Sequence, residues 1–93
     1  MTWELRWTSK ALGDLVRLHE FLAPVNPAAA AKAVQALTRA PERLLEHPRI
    51  GEPLQDFAPR EVRRLLVAQY EIRYELVDRK IYLLRIWHTR EHR

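Results

Sequence analysis

Trp87-His88-Thr89-Arg90-Glu91-His92-Arg93 closes the chain with two imidazoles, two guanidiniums and an indole in one short run. An unperturbed imidazole exchanges protons close to neutral pH, and a guanidinium stabilises charge that builds on a phosphate under attack. Cutting RNA needs both: cations at the scissile phosphate, and a proton donor or acceptor for the 2′-hydroxyl and the leaving group. An imidazole such as His88 and the guanidiniums of this basic segment are of the types that could supply them. A second reading needs no bond-breaking chemistry. In it the basic tip Arg85, His88, Arg90 and Arg93 contacts a protein target, and the neighbouring arginines 63, 64, 73 and 79 either extend a phosphate track or mark the open face of an antiparallel sheet.

Other chemistries find less support. His88 and His92 could pair on a metal, but nothing acidic is placed to complete a site, so no metal is expected. Glu46, a possible general base, sits beside His47-Pro48 at a helix end and reads as solvated charge. Trp3, Trp7 and Trp87 could stack on nucleobases, yet they fall on strand positions that should face the helices, which favours core packing. With no cysteine, thiolate nucleophiles, disulfides and Cys-based zinc sites are excluded.

Charge is unevenly placed. Residues 1–59 hold seven Lys or Arg against seven Asp or Glu, whereas residues 60–93 hold nine against five, so the net +4 lies wholly in the second segment. Such a segment directs a field toward an acidic or polyanionic partner. The whole chain of 93 residues, 1–93, reads as one domain, too small to enclose a deep private cavity. No stretch approaches the roughly 18 apolar residues of a membrane span, and the N-terminus lacks a signal-peptide apolar region. A cytoplasmic protein without membrane contact or cofactor is expected.

The elements that must position these residues follow from periodicity. Trp3, Leu5 and Trp7 alternate with Glu4 and Arg6 as in a half-buried strand. Ser9 is placed to cap a helix whose apolar stripe is Leu12, Leu15, Leu18 and Leu22. Asn26-Pro27 opens a second helix with Val34, Leu37, Leu44 and Leu45 inward, and Pro41 should kink or break it. Residues 48–59 read as a loop. Residues 62–77 carry two alternating runs with a turn at Ala68-Gln69; a second turn at Asp78-Arg79 leads to a last strand, apolar on both faces and therefore central. The expected fold is α+β with order β-α-α-β-β-β: an N-terminal strand plus a helical hairpin on one face of an antiparallel sheet.

Two stretches carry a family likeness. Arg63-Arg64-Leu65-Leu66-Val67-Ala68-Gln69-Tyr70-Glu71-Ile72-Arg73-Tyr74, followed by Ile81-Tyr82-Leu83-Leu84-Arg85-Ile86-Trp87-His88-Thr89-Arg90, resembles the RelE/ParE superfamily of bacterial toxins. Leu45-Glu46-His47-Pro48-Arg49-Ile50-Gly51 is similar to the helix end and Pro-x-x-Gly loop of ParE-type chains. The resemblance implies the toxin of a type II toxin-antitoxin pair. Members resembling RelE cut messenger RNA on the ribosome, and ParE-like members poison DNA gyrase by binding it.

Within that likeness the residues point to the ParE-like branch. RelE-like nucleases place an Arg directly after the aromatic residue that opens the third strand, where this chain has Glu71, and many carry a Tyr near the C-terminus, where none follows Tyr82. The resemblance therefore implies a growth-arresting gyrase inhibitor with no catalytic residue, neutralised by a small ParD-like antitoxin whose acidic C-terminal segment meets Leu15, Leu18, Leu22, Arg63 and Arg73. Direct sequence-specific nucleic-acid binding is not expected. The alternatives are a ribosome-dependent endoribonuclease using Arg64, His88 and Arg90, and a non-toxic interaction module of the same fold.

Overall fold

The computed structural model describes residues 2–91; the candidate contact Arg93 and the His92 half of the histidine pair lie outside the described residues. Strand β1 (Glu4–Trp7) runs directly into helix α1 (Ser9–Leu22) through Thr8. Thr8, not Ser9, is the N-cap: its hydroxyl accepts the Ala11 N–H at 3.2 Å and donates to the Leu83 carbonyl at 2.6 Å, tying the helix start to the sheet. Asn26 caps α2 (Pro27–Arg39) by accepting the Ala29 N–H at 3.1 Å, with Pro27 at the first helical position. At Pro41 the α-helix gives way to a 3-10 turn over Ala40–Leu45, because a proline ring there displaces the carbonyl one turn back.

The remaining strands are β2 (Glu52–Pro53), β3 (Glu61–Val67), β4 (Tyr70–Val77) and β5 (Lys80–His88), in the spatial order β1-β5-β4-β3-β2. Turns at Ala68-Gln69 and Asp78-Arg79 make β3, β4 and β5 an antiparallel meander. The expected order of elements and the interior last strand are present. The sheet differs from the expected all-antiparallel one in two respects: β1 pairs parallel with β5, and the 48–59 stretch adds the two-residue edge strand β2. Two helices packed on one face of this sheet make an α+β fold. Among the described residues no helix is long and apolar enough to cross a membrane.

A bulge in β5 sets which residues face which way. Arg73 pairs with Arg85 and Tyr74 with Leu83, so Leu84 has no partner and the alternation of β5 resets across it. Before the bulge Ile81 and Leu83 face the helices; after it Ile86 and His88 do. The helix-side face packs Leu65, Ile72, Tyr74, Leu76, Ile81, Leu83 and Ile86 against Ala11, Leu15, Leu18, Leu37 and Leu44. Trp3 and Trp7 pack against this core as expected, but Trp87 lies on the opposite, open face. Leu12 and Leu45, expected inward, are exposed.

The Pro48-Arg49-Ile50-Gly51 loop is fixed to the core by one buried hydroxyl. Tyr74 Oη donates to the Pro48 carbonyl at 2.8 Å and accepts the Gly51 N–H at 3.0 Å. A Cβ on Gly51 would lie 2.6 Å from both that hydroxyl and the Arg64 carbonyl, so the close approach requires glycine.

Candidate functional site

The open face of the sheet brings arginines together, and each meets a carboxylate. Arg64, Arg73 and Arg85 occupy one row across β3, β4 and β5. Glu71, buried at 1% exposure, lies 3.4 Å from Arg73 and 3.7 Å from Arg64. Arg64 also meets Glu52 at 2.7 Å, Arg60 meets Glu75 at 2.8 Å, and Arg85 reaches round the β5 edge to Asp14 at 2.9 Å. The Arg73 guanidinium sits 5.3 Å from the Phe57 ring centre and 4.7 Å from that of Trp87, whose ring also carries Arg85 at 5.2 Å. This face is electrically balanced by paired ions and capped by the 3-10 turn Gln55–Phe57.

Asp14 completes the other half of the Arg85 pair. Burial by itself would raise its carboxyl pKa, but hydrogen bonds from Arg85, the Ile86 amide and Arg17 outweigh that and hold it below the ordinary carboxylate value. Asp14 accepts the Ile86 N–H at 2.8 Å while Arg17 donates to the Ile86 carbonyl at 2.9 Å. Both side chains thus cover the stretch of β5 that extends beyond the end of β1.

A groove of about 670 Å³ lies between the helical hairpin and the far end of the sheet. Leu18, Phe21, Leu22 and Ala29 form its apolar wall, and Tyr70, Gln69, His88 and Arg90 the polar one. Phe21 is 76% exposed and Val25, in the neighbouring helix connection, 88%. His88 sits edge-on to Tyr70, its Nδ1 accepts the Arg90 N–H at 3.1 Å, and its Nε2 faces Gln69 Oε1 at 3.2 Å. Glu91 accepts the His88 amide at 2.7 Å and pairs with Arg17, which pins the C-terminal turn against α1.

These placements regroup the candidates read from sequence. Arg64, His88 and Arg90 do not assemble: Arg64 is on the open face, whereas His88 pairs with Tyr70 on the helix-side face and Arg90 lines the groove. Of the target-contact set, Arg85 is committed to Asp14, while His88 and Arg90 share the groove. Of the antitoxin set, Leu15 and Leu18 belong to the core at 8% and 3% exposure and offer little docking surface, Leu18 forming only the floor of the groove, while Leu22 lines it. Arg63 donates to the Gly51 carbonyl at 2.7 Å on the helix-side register, and Arg73 is stacked on the open face, so neither reaches the groove. Glu46 is exposed beside His47 in the loop after α2, away from both arrangements.

Asp14, Phe21, Phe57 and Glu91 were not singled out by residue type. The signal for Asp14 was a carboxylate inside the apolar stripe Ala11-Leu15-Leu18; for Phe21 it was a large ring lying off that stripe. Among the described residues no group of His, Asp and Glu is gathered for a metal.

Comparison with known proteins places the fold and the family. A family model described as the ParE toxin of the type II toxin-antitoxin system parDE matches residues 5–93. Toxin RelE2 of Caulobacter vibrioides is 32% identical over 84 residues, covering 89% of this chain and 91% of that one. The structure titled as the chromosomal ParDE TA system from P. aeruginosa superposes with a TM-score of 0.78 at 26% identity, covering 92% of this chain and 95% of that one. The toxin-antitoxin complex RelBE2 from Mycobacterium tuberculosis gives 0.59 at 24% identity over 95% and 99% of the two chains, a likeness of fold.

Proposed function

The chain belongs to the ParE toxin family of type II toxin-antitoxin systems, and from that premise we propose that it arrests growth by binding DNA gyrase and cuts no RNA. The observation that carries this reading is Glu71. Where RNA cleavage needs guanidiniums available to a phosphate, Arg64 and Arg73 are drawn onto a buried carboxylate, and a phosphate approaching the pair meets a negative charge already in place. The imidazole that would move protons lies on the other side of the sheet, beyond the roughly 3 Å reach that proton transfer requires.

The neutralising partner is an antitoxin whose acidic and apolar segment folds into the groove. Phe21 and Leu22 supply apolar surface, and Arg90, which has no ion pair among the described residues, supplies the cation at its rim. A segment that orders on binding suits an open apolar trough of this kind. A protein acting on gyrase works in the cytoplasm.

One observation favours a second reading. The relative at 32% identity carries the name RelE2, and a RelE-type nuclease would use Arg64, His88 and Arg90. Primer extension on translated messenger RNA separates the two. The gyrase reading predicts full-length products with purified toxin. Breaks at codon-specific positions that vanish in His88→Ala would establish the nuclease instead.

A further inference from the structure

The open face has the parts of a single-strand nucleic-acid platform, arranged so that none is free. Arg64, Arg73 and Arg85 cross three adjacent strands in register, with the rings of Phe57 and Trp87 beside them. Cations interleaved with aromatic rings are the usual means of holding a phosphodiester backbone while stacking its bases. Here Arg73 lies between both rings, Arg85 covers Trp87, and the Nε of Arg73 is buried without a hydrogen-bond partner. The rings are spent on the protein's own guanidiniums.

Glu71 is central to this closure. Among the described residues it is the most buried carboxylate of the face, at 1% exposure, and it meets two members of the row, whereas Glu52 is 60% exposed and meets Arg64. An exposed pair exchanges readily with solvent ions and with a competing phosphate; a buried one does not. We propose that Glu71 is the specificity-determining residue of the open face: by neutralising Arg64 and Arg73 from beneath, it excludes single-stranded RNA and leaves the toxin selective for protein surfaces. This inference rests on the reading that the chain acts by binding protein. It adds that the exclusion of RNA is an electrostatic property of one side chain, while the cations themselves are present.

The test is fluorescence anisotropy of a short fluorescein-labelled oligouridine at low salt, with thermal unfolding run on each variant. Wild-type protein shows no saturable binding. Glu71→Gln, which keeps the shape and removes the charge, gains at least about tenfold in affinity, the worth of one charge-assisted contact to phosphate. That gain falls steeply with added salt and disappears in the double variant with Arg73→Ala. Phe57→Ala alone, which removes one of the rings packed on Arg73 but leaves Glu71 in place, remains blind to RNA. Should Glu71→Gln fail to fold, Glu71→Asp, whose shorter reach weakens both pairs, gives a smaller gain. RNA binding by the wild type equal to that of the variant, or a folded Glu71 variant still blind to RNA, overturns the inference. Supercoiling inhibition measured on the same samples is a separate readout: its loss in the wild type would remove the gyrase target and leave the anisotropy result standing.

Discussion

Asp14 Oδ2 accepts the backbone N–H of Ile86 at 2.8 Å, at the point where β5 has outrun its neighbour β1. The same carboxylate receives the Arg85 guanidinium at 2.9 Å. An open β-edge exposes unpaired backbone groups that invite another strand, and here one helix residue covers the edge and neutralises a cation together. Asp14→Ala should therefore destabilise the domain by about 3 kcal/mol, since it leaves a buried amide and a half-buried guanidinium without their acceptor. Urea denaturation measures this. A loss below about 0.5 kcal/mol would mean that solvent replaces the carboxylate without cost.

Acid sensitivity follows from the same group. Asp14, Glu61 and Glu75 are all held below their ordinary pKa: Asp14 by Arg85, the Ile86 amide and Arg17 against the opposing effect of burial, Glu61 chiefly by Arg49, and Glu75 chiefly by Arg60. In the window between folded and unfolded values the unfolded chain binds more protons. Stability is thus complete above the unfolded carboxylate values near 4 and declines as pH falls through the lower folded ones. Melting temperature against pH should show this acid limb, with a shallower slope in Asp14→Asn, which no longer titrates.

Gly51→Ala should be poorly tolerated. The added methyl meets the Arg64 carbonyl and the Tyr74 hydroxyl, each at 2.6 Å, and both are held by the sheet and the core. Overpacking of this kind costs about 1–3 kcal/mol. Tyr74→Phe should relieve only the hydroxyl part of the side-chain clash, since the ring Cε1 stays 2.8 Å from the added methyl, while leaving the Gly51 N–H unpaired, so the double variant falls only partly short of additivity in thermal denaturation.

The meander was legible because β3, β4 and β5 alternate in residue type and because turn positions 68–69 and 78–79 separate them; left-handed backbone at Ala68, Asp78 and Arg79 shows where the chain reverses without glycine. Asn26 was legible as a cap, and Thr8 was missed by one residue in favour of Ser9, since short polar side chains before apolar stripes mark helix starts. The facing of Trp87 was not. An unbroken period of two places it beside Ile81 and Leu83, and only the unpaired Leu84 turns it to the open side. Asp14 was illegible for a related reason: sequence patterning assigns carboxylates to water, and its acceptor role depends on β1 ending at Trp7, a matter of strand length. Arg64 and His88 carry chemistry by type, but the face each occupies is decided by register.

The groove gives a binding prediction with little stability cost. Phe21 is 76% exposed, so Phe21→Ser should change stability by less than about 0.5 kcal/mol. Its affinity for the cognate antitoxin should fall by at least about tenfold, as for an aromatic anchor at an interface. Arg90→Glu should act mainly on association rate and flatten its salt dependence. Surface plasmon resonance with the antitoxin measures both. Unchanged affinity in Phe21→Ser would move the antitoxin to another surface.

The most direct measurement is gyrase supercoiling of relaxed plasmid titrated with purified toxin, with and without antitoxin. Dose-dependent inhibition that the antitoxin reverses is expected, with Glu71→Gln no less inhibitory than the wild type at equal folded concentration. Normal supercoiling at every toxin concentration, with translated transcripts cleaved in the same extract, would contradict it.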